Sequence, residues 1–317
     1  MKKLINHIAL TNKANKIANS LNISFLLLGI FLITNLLSCN KAKDDFTITD
    51  SNVYVSKDVK MKQDNHRIVS VSPQVTEILC DLGCMDRLIA RTDFCLYPKS
   101  VTKVRSIGGI TDANVEMIIS LQPDIVITSS IFPKKLVSVL EDASLPVVSF
   151  KEGSKIEDMY KVMTILGDLT NRQSQADSLI NICKKRLAKV TSKCDSIIKT
   201  EQSKRPKVYY VVGFGVGGDF SAGENTYIDE IFTLAGGDNI AKSAKNWSFN
   251  KEELFKNQPD YIFVRKADME KFKNTSPYSE LKAVKANKVF GIDDLDLQTP
   301  RSIDAIEYIF KTIYKQK

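Results

Sequence analysis

The sequence predicts an α/β protein built of two similar lobes that a long helix joins. Strand-like and helical segments alternate from Arg67 onward, a pattern typical of parallel βαβ units. A sparse apolar stripe with helical spacing over 172–199 predicts a helix roughly 40 Å long, at about 1.5 Å per residue. One segment of the first half recurs in the second half, which indicates that both halves share one architecture.

The composition is that of an ordinary globular protein, with 43% apolar and 26% charged residues. The 317 residues carry 45 Lys and Arg against 37 Asp and Glu, a net charge of +8. The first 38 residues hold Lys2, Lys3, Lys13 and Lys16 and no acid, so that the rest carries only +4. No basic cluster is interleaved with aromatic residues, and we therefore expect no nucleic acid as a partner.

The first 38 residues predict an export signal. Their apolar core at 25–33 is too short for a membrane span, which needs about 20 apolar residues. The run Leu36-Leu37-Ser38-Cys39 that follows resembles a bacterial lipobox, in which Cys39 is lipidated and becomes the new N-terminus. A signal-anchor helix with a chance cysteine is the alternative. We expect an exported protein, anchored to a bacterial membrane by lipid and facing the periplasm or cell envelope.

The mature chain then divides into four parts. Residues 39–65 are polar without a sustained period and predict a flexible stalk. Residues 66–155 predict the N-terminal α/β lobe, with strands at 68–71, 87–91, 125–128 and 147–150 and helices between them. Helical spacing over 156–203 predicts a helical bridge. Residues 204–317 predict the C-terminal α/β lobe, with strands at 208–212, 261–264 and 289–291 and a closing helix that begins at Thr299-Pro300.

The internal repeat is the most informative feature. Residues 114–127 align without gaps on residues 250–263, and Asn, Glu, Gln, Pro and Asp coincide at one constant offset. Each copy predicts an N-cap Asn, a short helix that proline ends, and a buried strand. A weaker similarity relates Glu77 and its helix to Glu230 and its helix. Two similar lobes joined by a helical strut follow from these matches.

The repeat also singles out Glu116 and Glu252, which occupy equivalent first turns of the two short helices. Acids at these positions complement the helix dipole, and that alone could explain them. Their recurrence in both lobes equally favours a paired functional role.

The glycine run 213–218 formally matches G-x-G-x-x-G after a predicted strand. A dinucleotide site needs a helix to begin at the third glycine, whereas the next helix here cannot begin before about Thr226. His66 is the only histidine outside the signal, and no set of nucleophile, base and orienting residue is visible. We expect neither catalytic residues nor a catalytic cofactor.

A zinc site is almost excluded by the lack of histidine and of C-x-x-C spacing, and no resident metal is expected. Five cysteines remain beyond Cys39, an odd number that cannot form a complete set of disulfides. Their pairing stays open: Cys80, Cys84, Cys95, Cys183 and Cys194.

Several aromatic residues lie in loops where open α/β sheets place ligands, beyond the carboxyl ends of strands. Each taken singly could equally belong to the core. They are Phe94, Tyr97, Phe214, Phe220, Tyr227 and Trp247. Arg91 and Arg301 could pair with an anionic ligand or could be surface charges.

Five segments resemble substrate-binding lipoproteins of bacterial ABC importers, of the class that serves cobalamin, haem and iron–siderophores. They are RIVSVSPQVTEILCDLG (67–83), RTDFCLYP (91–98), GGITDANVEMIISLQPDIVI (108–127), LAGGDN (234–239) and TPRS (299–302). The resemblance is closest to the vitamin B12-binding branch. It implies two Rossmann-like lobes with mostly parallel sheets, one long bridging helix and a ligand cleft between the lobes.

The resemblance also implies roles for particular residues. Glu116 and Glu252 correspond to glutamates that dock on a permease dimer with its ATPase subunits. By the resemblance, Phe94 and Trp247 correspond to aromatic residues of a cobalamin pocket and Asp293 to a polar contact. Together with loop aromatics and an arginine named above, the predicted ligand-binding residues are Phe94, Tyr97, Phe214, Trp247, Asp293 and Arg301. Ser129 stands where corrinoid binders have a further tryptophan.

The ligand expected from this resemblance is a metal chelate, cobalamin first, held as cargo rather than as a cofactor. An iron–siderophore or haem is the alternative within the class, and Arg91 and Arg301 would suit a siderophore. Two other classes stay open: a NAD-dependent enzyme, on the glycine run, and a cell-surface adhesion module, on the lipid anchor.

Overall fold

The computed structural model describes residues 48, 50–56, 64–201, 204–293 and 298–314. The predicted signal peptide, Cys39 and much of the predicted stalk lie outside them. The described chain has two mainly parallel sheets, each with its own apolar core, which we call the N-terminal and C-terminal lobes. Within this described part, no helix is long and apolar enough to cross a membrane.

The N-terminal lobe is built on a five-stranded sheet. Its strand order is β1-β5-β4-β2-β3, and all neighbours are parallel except β1, which is antiparallel to β5. The strands are β1 (Val53–Val55), β2 (Ile68–Ser70), β3 (Leu88–Arg91), β4 (Ile125–Ser129) and β5 (Val147–Phe150). The helices are α1 (Pro73–Asp81), α2 (Val115–Ser120) and α3 (Lys134–Asp142). The sequence predicted four of these strands and all three helices.

The flexible stalk predicted for 39–65 is wrong where β1 forms. The hydroxyl of Tyr54 donates to the Glu141 carboxylate at 2.6 Å. Beyond the strand, the Ser56 amide donates to the Val147 carbonyl at 2.9 Å, and the Val147 amide donates to Ser56 Oγ at 3.0 Å. Three residues are too few to show an alternating pattern, and the strand forms because β5 offers an unpaired edge.

The bridge consists of two helices, α4 (Ile156–Leu169) and α5 (Gln173–Glu201). Asn171, with φ 53°, lies in the break between them. With 29 residues, α5 is about 43 Å long, close to the predicted length. It packs against α4 and against the last helix, α10 (Arg301–Tyr314).

The C-terminal lobe is built on a four-stranded parallel sheet of order β11-β10-β6-β8. A separate antiparallel pair, β7 with β9, covers part of it. The strands are β6 (Lys207–Val211), β7 (Asp219–Phe220), β8 (Asp238–Asn239), β9 (Ser248–Phe249), β10 (Tyr261–Val264) and β11 (Val289–Gly291). The helices are α6 (Tyr227–Leu234), α7 (Lys251–Asn257), α8 (Met269–Asn274), α9 (Lys282–Lys285) and the C-terminal α10.

The internal repeat is confirmed at the level of single hydrogen bonds. Asn114 and Asn250 are the N-caps of α2 and α7, and their Oδ1 atoms accept from first-turn amides at 2.8 and 2.6 Å. Gln122 and Gln258, which follow the two helices, both have φ 46°. The same sequence signals therefore begin and end an equivalent helix in each lobe.

The strand that follows each repeated helix is tied to its neighbour in the same way. An Asp124 oxygen accepts from the Arg67 amide at 3.0 Å. An Asp260 oxygen accepts from the Lys207 amide at 2.7 Å. Each aspartate thus fixes the start of an interior strand of its own lobe, β2 or β6, which explains why the repeat retains it.

Candidate functional site

Many of the large apolar side chains exposed in the described chain lie in loops beyond the carboxyl ends of the strands. Open α/β sheets bind ligands at this edge, and exposed apolar side chains that cluster in one region mark a binding surface. The exposed residues in these loops are Phe94, Leu96, Tyr97, Ile131, Val216 and Trp247. Both lobes contribute to this set, as a cleft between them requires.

A cavity of about 610 Å³ lies between the lobes. Its lining combines the residue before β1, the loop before α4 and the first turn of α4 on one side with the start of α6 and Trp247 on the other. The lining residues are Asn52, Glu152, Gly153, Ser154, Asp158, Asn225, Thr226, Tyr227, Ile228, Trp247 and Gln298. Of the predicted ligand-binding residues, Trp247 is therefore the one that this cavity contains.

Trp247 is held by its backbone while its side chain stays free. Its carbonyl accepts from the Ser221 amide at 2.8 Å, and it has φ 68° in a turn that precedes β9. The side chain is 44% exposed. An indole left half exposed on a fixed turn is available to cover a flat ligand.

Phe94 and Tyr97 lie together in the loop that follows β3. The amide of Asp93 donates to the Gly108 carbonyl at 2.8 Å, and the Cys95 amide donates to the Thr92 carbonyl at 3.1 Å. These bonds fix the loop backbone, and Phe94 is 60% exposed. The Tyr97 ring carries the Arg301 guanidinium 4.2 Å from its centroid, a cation–π contact.

Arg301 was expected to contact the ligand, but its charge is already paired. Its Nε and Nη2 atoms donate to the two carboxylate oxygens of Glu77 at 2.8 and 2.6 Å. Glu77 is 1% exposed, so this bidentate pair supplies the hydrogen bonds that a buried carboxyl group needs. The pair joins α10 to α1 of the N-terminal lobe.

Arg91, the other candidate for an anionic ligand, is 7% exposed. Its Nη1 donates to the Thr92 carbonyl at 2.8 Å and its Nη2 to the Thr102 carbonyl at 2.9 Å. The guanidinium therefore binds the backbone on both sides of the loop that contains Phe94 and Tyr97. Both arginines thus hold neighbouring parts of the N-terminal lobe in place, Arg91 through the loop backbone and Arg301 through Glu77.

Two more predicted contacts have structural partners. Phe214 packs edge-on against Phe272, with ring centroids 5.1 Å apart, and belongs to the periphery of the C-terminal core. An Asp293 oxygen accepts from the Lys266 amide at 3.0 Å, and the carboxylate pairs with Lys266 Nζ at 3.2 Å. Asp293 thus holds the turn after β10.

Sequence reasoning missed the contacts that tie the lobes together near the cavity. The Gln298 side chain accepts from the Gly153 amide at 3.0 Å and donates to the Gly153 carbonyl at 2.9 Å. A Glu230 oxygen accepts from the Ile156 amide at 2.5 Å. Burial raises the pKa of Glu230. Glu230 resembles Glu77 in the weaker part of the repeat, and each joins two parts of the molecule.

Glu116 and Glu252 are exposed in the first turns of α2 and α7. Among the described residues, neither carboxylate has a hydrogen bond or an ion pair. The neighbouring Glu253, by contrast, accepts from Ser243 Oγ at 2.7 Å. The repeat therefore places two unpaired carboxylates on the cleft-facing edges of the lobes.

The periplasmic binding protein family matches residues 68–295, which is more than half of the chain. The chain belongs to this family. Periplasmic binding proteins of this kind serve ABC importers as substrate-binding components and are not enzymes. Their partners are a small-molecule ligand and the permease and ATPase subunits of the transporter.

Relatives at about one quarter identity give the same class. The ABC transporter substrate-binding lipoprotein YvrC of Bacillus subtilis is 29% identical over 84% of this chain and 85% of its own length. A cobalamin-binding protein of Halobacterium salinarum is 26% identical over 64% of this chain and 55% of its own length. The high-affinity heme uptake system protein IsdE of Staphylococcus aureus is 26% identical over 71% of this chain and 80% of its own length.

The fold is that of solved periplasmic binding proteins. The vitamin B12-binding protein BtuF of Vibrio cholerae superposes with a TM-score of 0.66 at 21% identity, over 80% of this chain and 98% of that structure. This likeness confirms the expected two-lobed α/β architecture.

In this periplasmic binding protein the described cysteines are free thiols, and four of the five are buried. Burial raises the pKa of Cys80 to about 12, which leaves it unreactive at neutral pH. Among the described residues, no group of three His, Cys, Asp or Glu side chains could hold a metal ion. The glycine run 213–218 leads into β7, and α6 begins only at Tyr227, so no helix begins at the third glycine, as the sequence predicted.

Proposed function

We propose that the protein captures a corrinoid, cobalamin first, in the cleft between its lobes and delivers it to an ABC permease. The aromatic residues support a flat and largely apolar ligand. Phe94 and Tyr97 are exposed on one lobe and Trp247 on the other. Aromatic side chains that face a macrocycle from two sides bury a large apolar area and have few rotamers to lose.

The charge of the cleft is the observation that favours a corrinoid most. Arg301 is paired with buried Glu77 and Arg91 is turned into the loop backbone. The inter-lobe cavity contains Glu152 and Asp158 and no cationic side chain among its described lining residues. An anionic ligand, such as a haem with two propionates, would meet no available positive charge here.

The hydrogen-bonding groups of the cavity suit an uncharged, amide-bearing rim. Asn52, Ser154, Asn225, Thr226 and Gln298 all line it. Their amide and hydroxyl groups both donate and accept. A corrin ring carries primary amides around its edge, which these groups can bind without any net charge.

Lipid anchoring belongs to the same proposal. The lipobox at Leu36-Leu37-Ser38-Cys39 supports it, and the relative from Bacillus subtilis is a lipoprotein. Replacing Cys39 by Ala should leave an unprocessed precursor that takes up no labelled fatty acid. Normal lipid labelling of that variant would refute the assignment of Cys39.

Haem is the second candidate, because one observation favours it. The Staphylococcus aureus relative serves heme uptake, and Tyr97 offers an exposed phenol at the mouth of the cleft. A phenolate can bind haem iron axially. The propionates would still lack a cationic partner in the described cleft.

The single tryptophan makes the test direct. Trp247 is the one Trp of the chain, and its emission overlaps the absorption of cobalamins and of haem. Titration of the purified protein with cyanocobalamin, haemin and a ferric hydroxamate siderophore, followed by fluorescence and calorimetry, should show saturable binding of cyanocobalamin. Tight binding of haemin or the siderophore, with none of cyanocobalamin, would overturn the proposal.

A further inference from the structure

A second cavity lies at the opposite edge of the C-terminal lobe, where its parallel strands begin. Its volume is about 950 Å³. The segment before β6, the end of α7, the start of α9 and the end of α10 form its walls. The charged residues that line it are Lys204, Arg205, Lys207, Lys256, Lys282, Lys288, Asp238 and Asp260. Six cationic groups thus face two carboxylates.

The two carboxylates already have other partners. Asp260 accepts from the Lys207 amide at 2.7 Å, the contact that the repeat retains in both lobes. Asp238 pairs with Lys242, which is outside the cavity lining, at 2.7 Å. A backbone amide does not compensate the charge of Asp260, but six cations against two carboxylates still leave an excess of four positive charges in the lining.

The cationic groups fall into two sets. Three are oriented by neutral groups that leave their charge intact: Arg205 donates to the Thr233 carbonyl at 2.7 Å, Lys207 to the Asn257 carbonyl at 3.1 Å, and Lys288 lies over the Tyr261 ring at 4.8 Å. The other three, Lys204, Lys256 and Lys282, are exposed, and their ammonium groups have no hydrogen bond or ion pair among the described residues.

The fold does not require this charge, because the N-terminal lobe lacks it. The repeat aligns Lys256 with Ser120. At the same edge of the N-terminal lobe, Arg67 binds the Leu121 carbonyl at 2.6 Å, and Arg87 is paired with Asp64 at 2.9 Å. The repeated architecture therefore does not itself call for a lysine at position 256, and the six cations that line the cavity belong to the C-terminal lobe alone.

We infer that this cavity binds an anion in which several phosphate groups lie close together. Concave surfaces with one sign of charge concentrate the field and attract counter-ions. Five of the six cations are lysines, which act as point charges and do not impose the planar fork that arginine uses for one carboxylate or phosphate. The site lies at the opposite edge of the C-terminal lobe from the ligand cleft, with Lys256 one helical turn along α7 from Glu252, and the inference does not rest on the corrinoid proposal.

Two sources could supply such phosphates: a soluble polyphosphate and the headgroups of an anionic bilayer. The first probe is sodium tripolyphosphate, added to the full-length protein in an uncharged detergent and followed by calorimetry at constant ionic strength. The second is flotation with phosphatidylcholine vesicles, with and without one third phosphatidylglycerol. Any insertion of the N-terminal segment is common to both kinds of vesicle.

The test variant is Lys256→Gln/Lys282→Gln, and the control is Lys185→Gln/Lys193→Gln on exposed positions of α5. We expect saturable binding of tripolyphosphate that weakens about tenfold in the test variant and not in the control. If only the vesicle arm shows this selective loss, the source is the bilayer, and the site stands. Absence of binding in both arms, or equal loss in both variants, would overturn the inference.

Discussion

Arg301 has a structural role that the sequence did not predict, while its predicted contact with a ligand stays a prediction. The sequence placed a cation near the cleft, and the structure pairs it with Glu77 and stacks it on Tyr97. Taking one partner away leaves a buried charge without compensation, which costs far more than the pair contributes. The pair therefore has a large effect on stability and an indirect effect on binding.

Arg301→Ala should lower the free energy of unfolding by about 3 kcal/mol, because Glu77 would stay buried without its partner. Arg301→Lys should fall between this variant and the wild type, since an ammonium cannot bind both carboxylate oxygens in parallel. The double variant Arg301→Ala/Glu77→Gln should recover part of the loss. Denaturant unfolding measures all three, and a single variant within about 0.5 kcal/mol of the wild type would contradict the assignment.

Trp247→Ala should weaken the binding of cyanocobalamin by about 2–4 kcal/mol while the protein stays folded. The indole is half exposed on the wall of the inter-lobe cavity, so that it contributes contact area to a ligand and little to the core. Tyr308→Ala removes an aromatic ring of similar exposure from α10 and is the control. Calorimetry and thermal unfolding on both variants separate the effects, and unchanged affinity in Trp247→Ala would move the ligand site elsewhere.

The exposure of Trp247 and Phe94 was predictable, since both follow or precede strands at the expected edge, and their contact with a ligand stays a prediction. The contacts of Phe214 and Asp293 within the C-terminal lobe were not predictable. Both lie in loops that could equally face the cleft. Phe214 packs on Phe272 and Asp293 binds Lys266, and both partners lie tens of residues away in the sequence. Partners distant in the sequence decide what a loop side chain contacts within its own lobe, and a single sequence does not show them.

At the scale of elements, the junction of α1 with α10 collects acidic residues. Glu77 and Asp81 lie on α1, and Asp304 lies on α10, where it pairs with Arg186 of α5 at 2.5 Å. Burial, together with the negative charges of Glu77 and Asp304, raises the pKa of Asp81 to about 6, and Arg301 opposes this shift. The end of α1 therefore carries a carboxyl group that resists ionisation.

This group makes stability depend on pH in a definite direction. The unfolded chain releases the Asp81 proton near its ordinary pKa of 3.8, whereas the folded protein holds it up to about pH 6. Between these values the folded state binds more protons, so the contribution of Asp81 to the free energy of unfolding falls as pH rises.

Asp81→Asn should remove that loss, because an amide cannot ionise. Its stability relative to the wild type should increase between about pH 4 and pH 6 and then level off. Because the residue is partly exposed, the gain at neutral pH should be about 1 kcal/mol or less. Denaturant unfolding at several pH values measures the difference, and a difference that does not change with pH would show that Asp81 ionises normally.

Elements were more predictable than residues, for a physical reason. The parallel strands are buried on both faces and read as apolar runs, and the helices between them have caps that the sequence displays, such as Asn114 and Asn250. The elements that were missed have between two and six residues: β1, β7, β8, β9, α8 and α9. Such segments are too short for a period to appear, and they form because an existing sheet or turn offers them partners.

At the scale of the whole molecule, several contacts among the described residues join parts that are distant in the sequence, and three of them involve the side chains discussed above. Glu77 binds Arg301, Gln298 binds the backbone of Gly153, and Glu230 binds the amide of Ile156. The repeat predicted two equivalent lobes and the periodicity predicted the long helix between them. Neither could predict how the lobes are joined, because the partners differ even where the repeat relates two residues: Glu77 binds a guanidinium and Glu230 a backbone amide.

The fastening bears on the two glutamates at the cleft-facing edges. Glu116 and Glu252 are exposed, unpaired in the described chain and equivalent by the repeat. Because these contacts and the long helix α5 join the two lobes, we expect the separation of the two carboxylates to be fixed. A permease dimer with two basic pockets can then bind both, and the second contact becomes effectively intramolecular.

The double variant Glu116→Ala/Glu252→Ala should therefore bind ligand normally and fail to support transport, with each single variant partly defective. Charged contacts at the rim of an interface should also weaken as salt rises. Glu157→Ala is the matched control, because Glu157 is an exposed acid in the first turn of α4 and loses the same helix-dipole interaction without lying on a docking edge. Affinity, melting temperature and uptake into proteoliposomes, measured on the same preparations, separate docking from stability. Wild-type uptake by the double variant, with a small loss of melting temperature equal to that of Glu157→Ala, would reduce both glutamates to helix-dipole partners.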